Sequence, residues 1–88
     1  MLHPNLSNDA VRFLKKRDFK QFMQIFQAVT QLCNDPRPND SIAMGNSTHF
    51  RKDVGEYRVI YSFDQKTLNV AVIGNRNDGA AYKEFDRK

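Results

Sequence analysis

Apolar residues recur along the first third of the chain at helical spacing. Ala10, Phe13 and Leu14 fall on one face, and Phe22, Ile25, Phe26, Val29, Leu32 and Cys33 continue the period. Two helices are therefore predicted between Ser7 and Asn34, broken near Arg17-Asp18. Ser7 or Asn8 can cap the first and Asp18 the second, a side-chain oxygen accepting from a first-turn amide that has no partner within its own helix. The second helix must stop at Asn34-Asp35-Pro36-Arg37-Pro38, because each proline lacks an N–H and forces extended backbone on the residue before it. The two helices read as an αα-hairpin.

Beyond a polar loop reaching to about Gly45, the period changes to two. Tyr57, Val59, Tyr61 and Phe63 share one face while Arg58, Ile60 and Ser62 share the other, which describes a strand. Asp64-Gln65-Lys66 separates it from Leu68, Val70 and Val72, which alternate with Asn69, Ala71 and Ile73, so an antiparallel hairpin is expected. His49 to Asp53 is expected to supply a neighbouring strand. Gly74-Asn75-Arg76-Asn77-Asp78-Gly79 is a turn-rich exit, and Ala80 to Arg87 reads as a short terminal helix. Met1 to Asn5 could add a strand only at a sheet edge, since Pro4 cannot donate to a ladder. The expected class is α+β: an N-terminal αα-hairpin packed on a small antiparallel sheet, with a short C-terminal helix and the opposite sheet face free for a ligand.

Length and composition narrow the picture further. At 88 residues the chain can build one core, so residues 1–88 are expected to form a single domain. The 40% hydrophobic content argues for a packed core, and no apolar run approaches the ~20 residues of a membrane span. Met1-Leu2-His3-Pro4-Asn5 shows neither a basic nor an apolar signal region, so a cytoplasmic protein with no membrane partner is expected. The single cysteine, Cys33, lies within an apolar helical stripe and reads as a packing residue. Fourteen Lys and Arg against ten Asp and Glu give a net charge of +4. That surplus suits a polyanionic partner, and equally the ordinary solubility of a small basic protein.

The two histidines are far apart in sequence and the four glycines form no phosphate-binding cluster, so neither a metal site nor a cofactor is expected. What stands out is a basic and aromatic set on and after the strands: Arg51, Lys52, Arg58, Arg76 and Tyr82. Arg58 alternates with Tyr57 and Val59, so it projects from the open sheet face if helices cover the other. Its plain structural role would be to lie over Ile60 or to pair with Glu56. Arg76, in a turn after a strand, has the default role of a solvated charge. Taken together, the set suits cleavage of RNA by its own 2′-hydroxyl. That reaction needs the scissile phosphate held in line, its growing charge neutralised and a proton exchanged at each end. Arginines can hold the phosphate bidentately and a tyrosine can stack on a base.

The order of these segments resembles the RelE/ParE toxin superfamily over nearly the whole chain. The resemblance rests on Phe13-Leu14-Lys15-Lys16, on Asp35-Pro36-Arg37-Pro38 with Gly45 beyond, on Val54-Gly55-Glu56-Tyr57-Arg58-Val59-Ile60-Tyr61, and on Gly74-Asn75-Arg76 followed by Tyr82. The Val-Gly-x-Tyr-Arg-Val-Ile-Tyr stretch is the most specific of these. The resemblance implies a type II toxin that cuts mRNA in the ribosomal A site, an antitoxin that wraps and blocks it, and operator DNA bound only through the antitoxin complex. It also implies that Arg58 binds the scissile phosphate, that Arg76 assists the phosphate or the leaving oxygen, and that Tyr82 stacks on a substrate base. Such ribonucleases usually carry two basic residues at alternate positions of the preceding strand. Here the pair reads Arg51 and Asp53, with Lys52 between them pointing the other way.

One expected cation has thus become an anion. Asp53 can act as general base or pair with a neighbouring arginine, the commoner fate of a carboxylate among cations. His49 is the other acid–base candidate, having a suitable intrinsic pKa and lying beside the same strand. The sequence leaves three functional readings open: the ribonuclease, a ParE-like toxin that inhibits DNA gyrase without cutting nucleic acid, and an inactive antitoxin-binding module. An antitoxin would be expected to lay an amphipathic segment across the helices or the basic face, with Phe19, Phe22 or Met23 contributing wherever they lie outside the core.

Overall fold

The computed structural model describes residues 1–45, 47–77, 79, 82, 85 and 86. The chain enters as a strand, β1 (His3–Leu6), and Ser7 turns it into α1 (Asn8–Lys15). The Ser7 hydroxyl oxygen accepts from the Ala10 amide at 3.1 Å, capping the helix as its position predicts. Asp18 caps α2 (Phe19–Asn34) with a capping box: its carboxylate accepts from the Gln21 N–H at 2.8 Å, and the Gln21 side chain accepts from the Asp18 amide at 3.3 Å. After α2 the two-proline loop is tied to the core by the Tyr61 hydroxyl, which donates to the Pro36 carbonyl at 2.7 Å.

Four further strands follow: β2 (Ile42–Ala43), β3 (Phe50–Val54), β4 (Tyr57–Phe63) and β5 (Thr67–Asn75). They form one five-stranded sheet in the order β1-β5-β4-β3-β2. The class is α+β as expected, but two details of the expected architecture are corrected. The sheet is mixed, because β1 runs parallel to β5 while the remaining pairs are antiparallel. Pro4 is tolerated in β1 because that strand lies at the sheet edge. The helices also do not open the chain as a self-packed hairpin. A strand precedes them, and each makes its main contacts with the sheet, α1 on β5 and α2 across β1, β3 and β5. Most of the terminal helix expected over Ala80–Arg87 lies outside the described residues; Tyr82, Phe85 and Asp86, which are described, have helical backbone.

The helix side of the sheet carries the main core. Ile25, Val29 and Leu32 of α2 and Ala10 and Leu14 of α1 pack against Val59, Tyr61, Leu68 and Val70. Cys33 is buried among them. Each large aliphatic side chain removed from water here contributes about 1.5–3 kcal/mol.

A β-bulge then redistributes the faces of β5. Ile60 pairs with Val72 and Tyr61 with Val70, so Ala71 is an extra residue opposite no partner. The regular alternation expected for Leu68 to Ile73 is broken there, because an inserted residue inverts every position beyond it. Leu68, Val70 and Ile73 consequently face the helices, while Val72 faces away. On that far side Ile60 and Val72 are both fully buried, beneath Met44, Ala71, Tyr82 and Phe85.

Ser7 links the helices to this bulge. Besides capping α1, its hydroxyl donates to the Ala71 carbonyl at 2.6 Å, and its amide donates to the Val70 carbonyl at 2.9 Å. Ser7→Ala should therefore remove a helix cap and a carbonyl partner together, costing about 2 kcal/mol. Urea unfolding should show a lower midpoint at unchanged slope; a wild-type midpoint would show that the link carries no stability.

Candidate functional site

The β3–β4 hairpin turns through Gly55-Glu56. Gly55 adopts φ +59°, and a Cβ at that position would collide with the Gln24 amide. A positive φ at the first central residue suits a tight two-residue turn and is accessible mainly to glycine. This turn sets the register, placing Asp53 directly opposite Arg58 and Arg51 opposite Ile60. All four project from the sheet face away from the helices. On the other side of Arg58 stands Gly74 of β5, so no side chain crowds the arginine from there.

Four of the expected site residues come together at this point. Asp53 grips Arg58 along one edge of the guanidinium, Oδ1 accepting from Nε at 2.7 Å and Oδ2 from Nη2 at 3.3 Å. The Tyr82 ring lies against Arg58, with the guanidinium carbon 5.0 Å from its centroid, and Arg51 donates from Nη1 to the Tyr82 hydroxyl. Cation–ring attraction operates at such distances. The Arg58 side chain is only 12% exposed, whereas that of Asp53 is 39% exposed.

Arg76 lies just past β5 and is exposed, its amide donating to the Glu56 carbonyl at 2.8 Å. Its charge acts on Asp53 in concert with those of Arg58 and Arg51. His49 stands at the far end of the same face, roughly 13 Å from Asp53 by strand rise. Its ring packs edge-on against Phe85 at 4.8 Å, and its Nδ1 lies 3.3 Å from the Ser47 hydroxyl. Lys52 is not brought to the cluster. Strand alternation puts it on the helix side opposite Val59, where its ammonium pairs with Asp40 at 2.5 Å.

These contacts set the protonation states. The hydrogen bonds from Arg58 hold the Asp53 carboxyl below its ordinary value, with the charges of Arg58, Arg76 and Arg51 adding to the effect. The same pairing raises the already high pKa of Arg58. Burial lowers the pKa of His49, favouring its neutral form. At neutral pH Asp53 is thus ionised beside the cationic Arg58, Arg51 and Arg76, and His49 at the end of the cluster favours its neutral form. Such a cluster can bind a phosphodiester and neutralise charge developing on it. A carboxylate so acidified is a weak proton acceptor, whereas a neutral imidazole is a competent one. Among the described residues, no three His, Cys, Asp or Glu side chains gather as a metal's ligands would, and no helix is long and apolar enough to cross a membrane.

Sequence reasoning missed the support beneath the cluster. It left out the two-residue strand β2, the small core around Ile60 and Val72, and the tie from Arg51 to Tyr82. The spacing of Tyr82 and Phe85 was the available signal, since residues three apart share a helix face. A second surface feature also becomes visible in three dimensions. Phe19, Phe22 and Phe26 of α2, with Leu6, Val11 and Leu14, line an apolar groove bordered by Lys15 and Arg17. Phe19 and Phe26 are exposed there, so of the aromatic stripe only part is core.

No protein-family model matches the chain, and no curated protein sequence does. Solved structures do. A double arginine-to-alanine variant of the Escherichia coli toxin RelE in its free state superposes with a TM-score of 0.81 at 17% identity, covering 98% of this chain and 95% of that one. The archaeal RelE–RelB complex from Pyrococcus horikoshii gives 0.72 at 19% identity over 88% of this chain and 97% of its own. The YoeB dimer of Staphylococcus aureus gives 0.70 at 14% identity over 85% and 97%. The chain therefore has the fold of the RelE toxins.

The pairing of Asp53 has a measurable acid signature. Its depressed folded pKa means that its stabilising contribution is fully present above its ordinary value of 3.8 and is lost as pH falls below that value. Because Asp53 is 39% exposed, solvent screening should limit the effect to roughly a few tenths of a kcal/mol. Unfolding free energies of wild type and Asp53→Asn should differ by this amount at pH 6 and converge toward pH 2. A difference that grew as pH fell would contradict the assignment.

Proposed function

We propose that this chain is the toxin of a type II toxin–antitoxin system and an endoribonuclease that cuts mRNA in the ribosomal A site. In this reading Arg58 binds the scissile phosphate, and Arg76 and Arg51 add charge around it. The substrate's own 2′-hydroxyl is the nucleophile, so the reaction calls on no metal. Tyr82 contributes its ring, against which a base can stack once the phosphate engages the arginines. His49 is the better matched proton acceptor by pKa, while Asp53 is the nearer group and the weaker base.

The observation that carries this reading is the convergence of Arg51, Arg58 and Tyr82 on the sheet face opposite the helices, within a fold held in common with RelE toxins. The ribosome would complete the positioning that so small a site lacks, so naked RNA should be a poor substrate. A cognate antitoxin is the expected protein partner, and operator DNA would be reached only through it. The apolar groove on α1 and α2, bordered by Lys15 and Arg17, suits an amphipathic acidic segment of such a partner.

The test is to add the purified protein to a translating cell-free extract and map mRNA 5′ ends by primer extension. Wild type should produce cuts at ribosome-occupied codons. Arg58→Ala and Arg76→Ala should each reduce cutting about a hundredfold or more, the usual consequence of deleting a group that stabilises transition-state charge. Intact mRNA in the presence of folded wild-type protein would reject the ribonuclease and direct attention to inhibition of DNA gyrase, measured by supercoiling.

A further inference from the structure

The arginine at the centre of the site already holds an anion. Asp53 occupies the Nε and Nη2 donors of Arg58, a two-donor edge that two phosphate oxygens would otherwise take. Tyr82 covers a flank of the same guanidinium. As a result the group facing solvent at the middle of the cluster is the carboxylate, 39% exposed, and not the guanidinium, whose side chain is 12% exposed. The arrangement is held in place: Asp53 and Arg58 are directly opposed across β3 and β4, two residues from the glycine turn that fixes their register.

We propose that Asp53 is a positioning residue that restrains the site, holding Arg58 in an internal ion pair that an incoming phosphodiester must displace. This rests on the reading of the cluster as a phosphate site and deepens it, by making Asp53 the residue that sets affinity for the phosphate. Two obstacles meet the phosphate. A phosphate approaching Arg58 meets a fixed negative charge at contact distance, and it must break hydrogen bonds already made before forming its own. Arg51 and Arg76 offset part of that repulsion, which is why the site can keep a carboxylate and still attract a polyanion. Replacing Asp53 by a neutral side chain removes the fixed charge and weakens or removes those hydrogen bonds, and it leaves the three arginines in place.

Asp53→Asn preserves shape and one acceptor while removing the charge, and Asp53→Ser removes both. Binding of a short RNA with a 2′-deoxy sugar at the central position, which cannot be cleaved there, would be followed by the fluorescence anisotropy of a label on its 5′ end. Cleavage would be followed by single-turnover kinetics on programmed ribosomes. Both variants should bind the oligonucleotide about fivefold tighter or more, as expected for removing one partly screened charge. The half-saturating concentration for cleavage should fall in parallel, and Arg58→Ala placed on Asp53→Asn should abolish the gain.

Unchanged or weaker binding, or a fall in maximal rate at unchanged half-saturation, would overturn the proposal and make Asp53 an aid to catalysis. Loss of cleavage in Arg58→Ala alongside unchanged binding by Asp53→Asn would reject the restraint alone. Wild-type cleavage by Arg58→Ala would reject the phosphate-site reading and the restraint with it.

Discussion

The register between β4 and β5, interrupted by one extra residue at Ala71, decides which side chains see the helices and which see the opposite face. Without the bulge, Val72 would continue the inward row of Leu68 and Val70, and Ile73 would point away from the helical core. With it, Val72 joins Ile60 beneath Tyr82 and Phe85, and Gly74 comes to lie across from Arg58. A bulge is tolerated only where its freed backbone groups find partners. Ser7 provides them while also starting α1. One hydroxyl thereby couples the edge strand, the first helix and the irregularity that shapes the site.

The cluster on the far face is an electrostatic compromise. Three arginines brought close together repel one another, and a guanidinium at 12% exposure gives up part of its hydration. Asp53 relieves that cost for Arg58, and the Tyr82 hydroxyl accepts from Arg51. The small core under the site matters for the same reason. Ile60 and Val72, with Met44 and Phe85, hold the Tyr82 ring against the guanidinium of Arg58, so aromatic packing and charge organisation are not separable here. His49 belongs to this packing too, its ring against Phe85 and its pKa lowered by burial.

Much of this was legible in the chain because the strongest local rules and the final fold agree. The caps at Ser7 and Asp18, the stop at Asn34, the strand at Tyr57 and the outward aim of Arg58 follow from spacing and turn chemistry alone. The parallel placement of β1 was not legible, since four residues carry too little pattern to choose a neighbour, and Pro4 restricts only the position. Nor was β2, whose two residues cannot display an alternation. The bulge was hidden for a subtler reason. Val70, Ala71, Val72 and Ile73 are all apolar, so an inserted residue leaves no polar side chain stranded in a core and no mark on the pattern. Lys52 shows a divided case: alternation assigns its face, but its place in the basic set of the site does not hold, and the tie to Asp40 on the helix side has no signal in the sequence.

That same division explains how a chain at 14–19% identity to RelE and YoeB structures can keep their fold. The fold asks for apolar residues at particular periods, one permissive turn and a partner for the bulge, all of which many sequences satisfy. The exposed cluster is under no such demand. Asp53 contributes little to the main core, which lies on the other side of β3, so its charge can alter how this face meets an anion while leaving the architecture intact. The fold limits where the chemistry can sit, and the balance of Asp53 against Arg51, Arg58 and Arg76 determines how strongly that face attracts an anion.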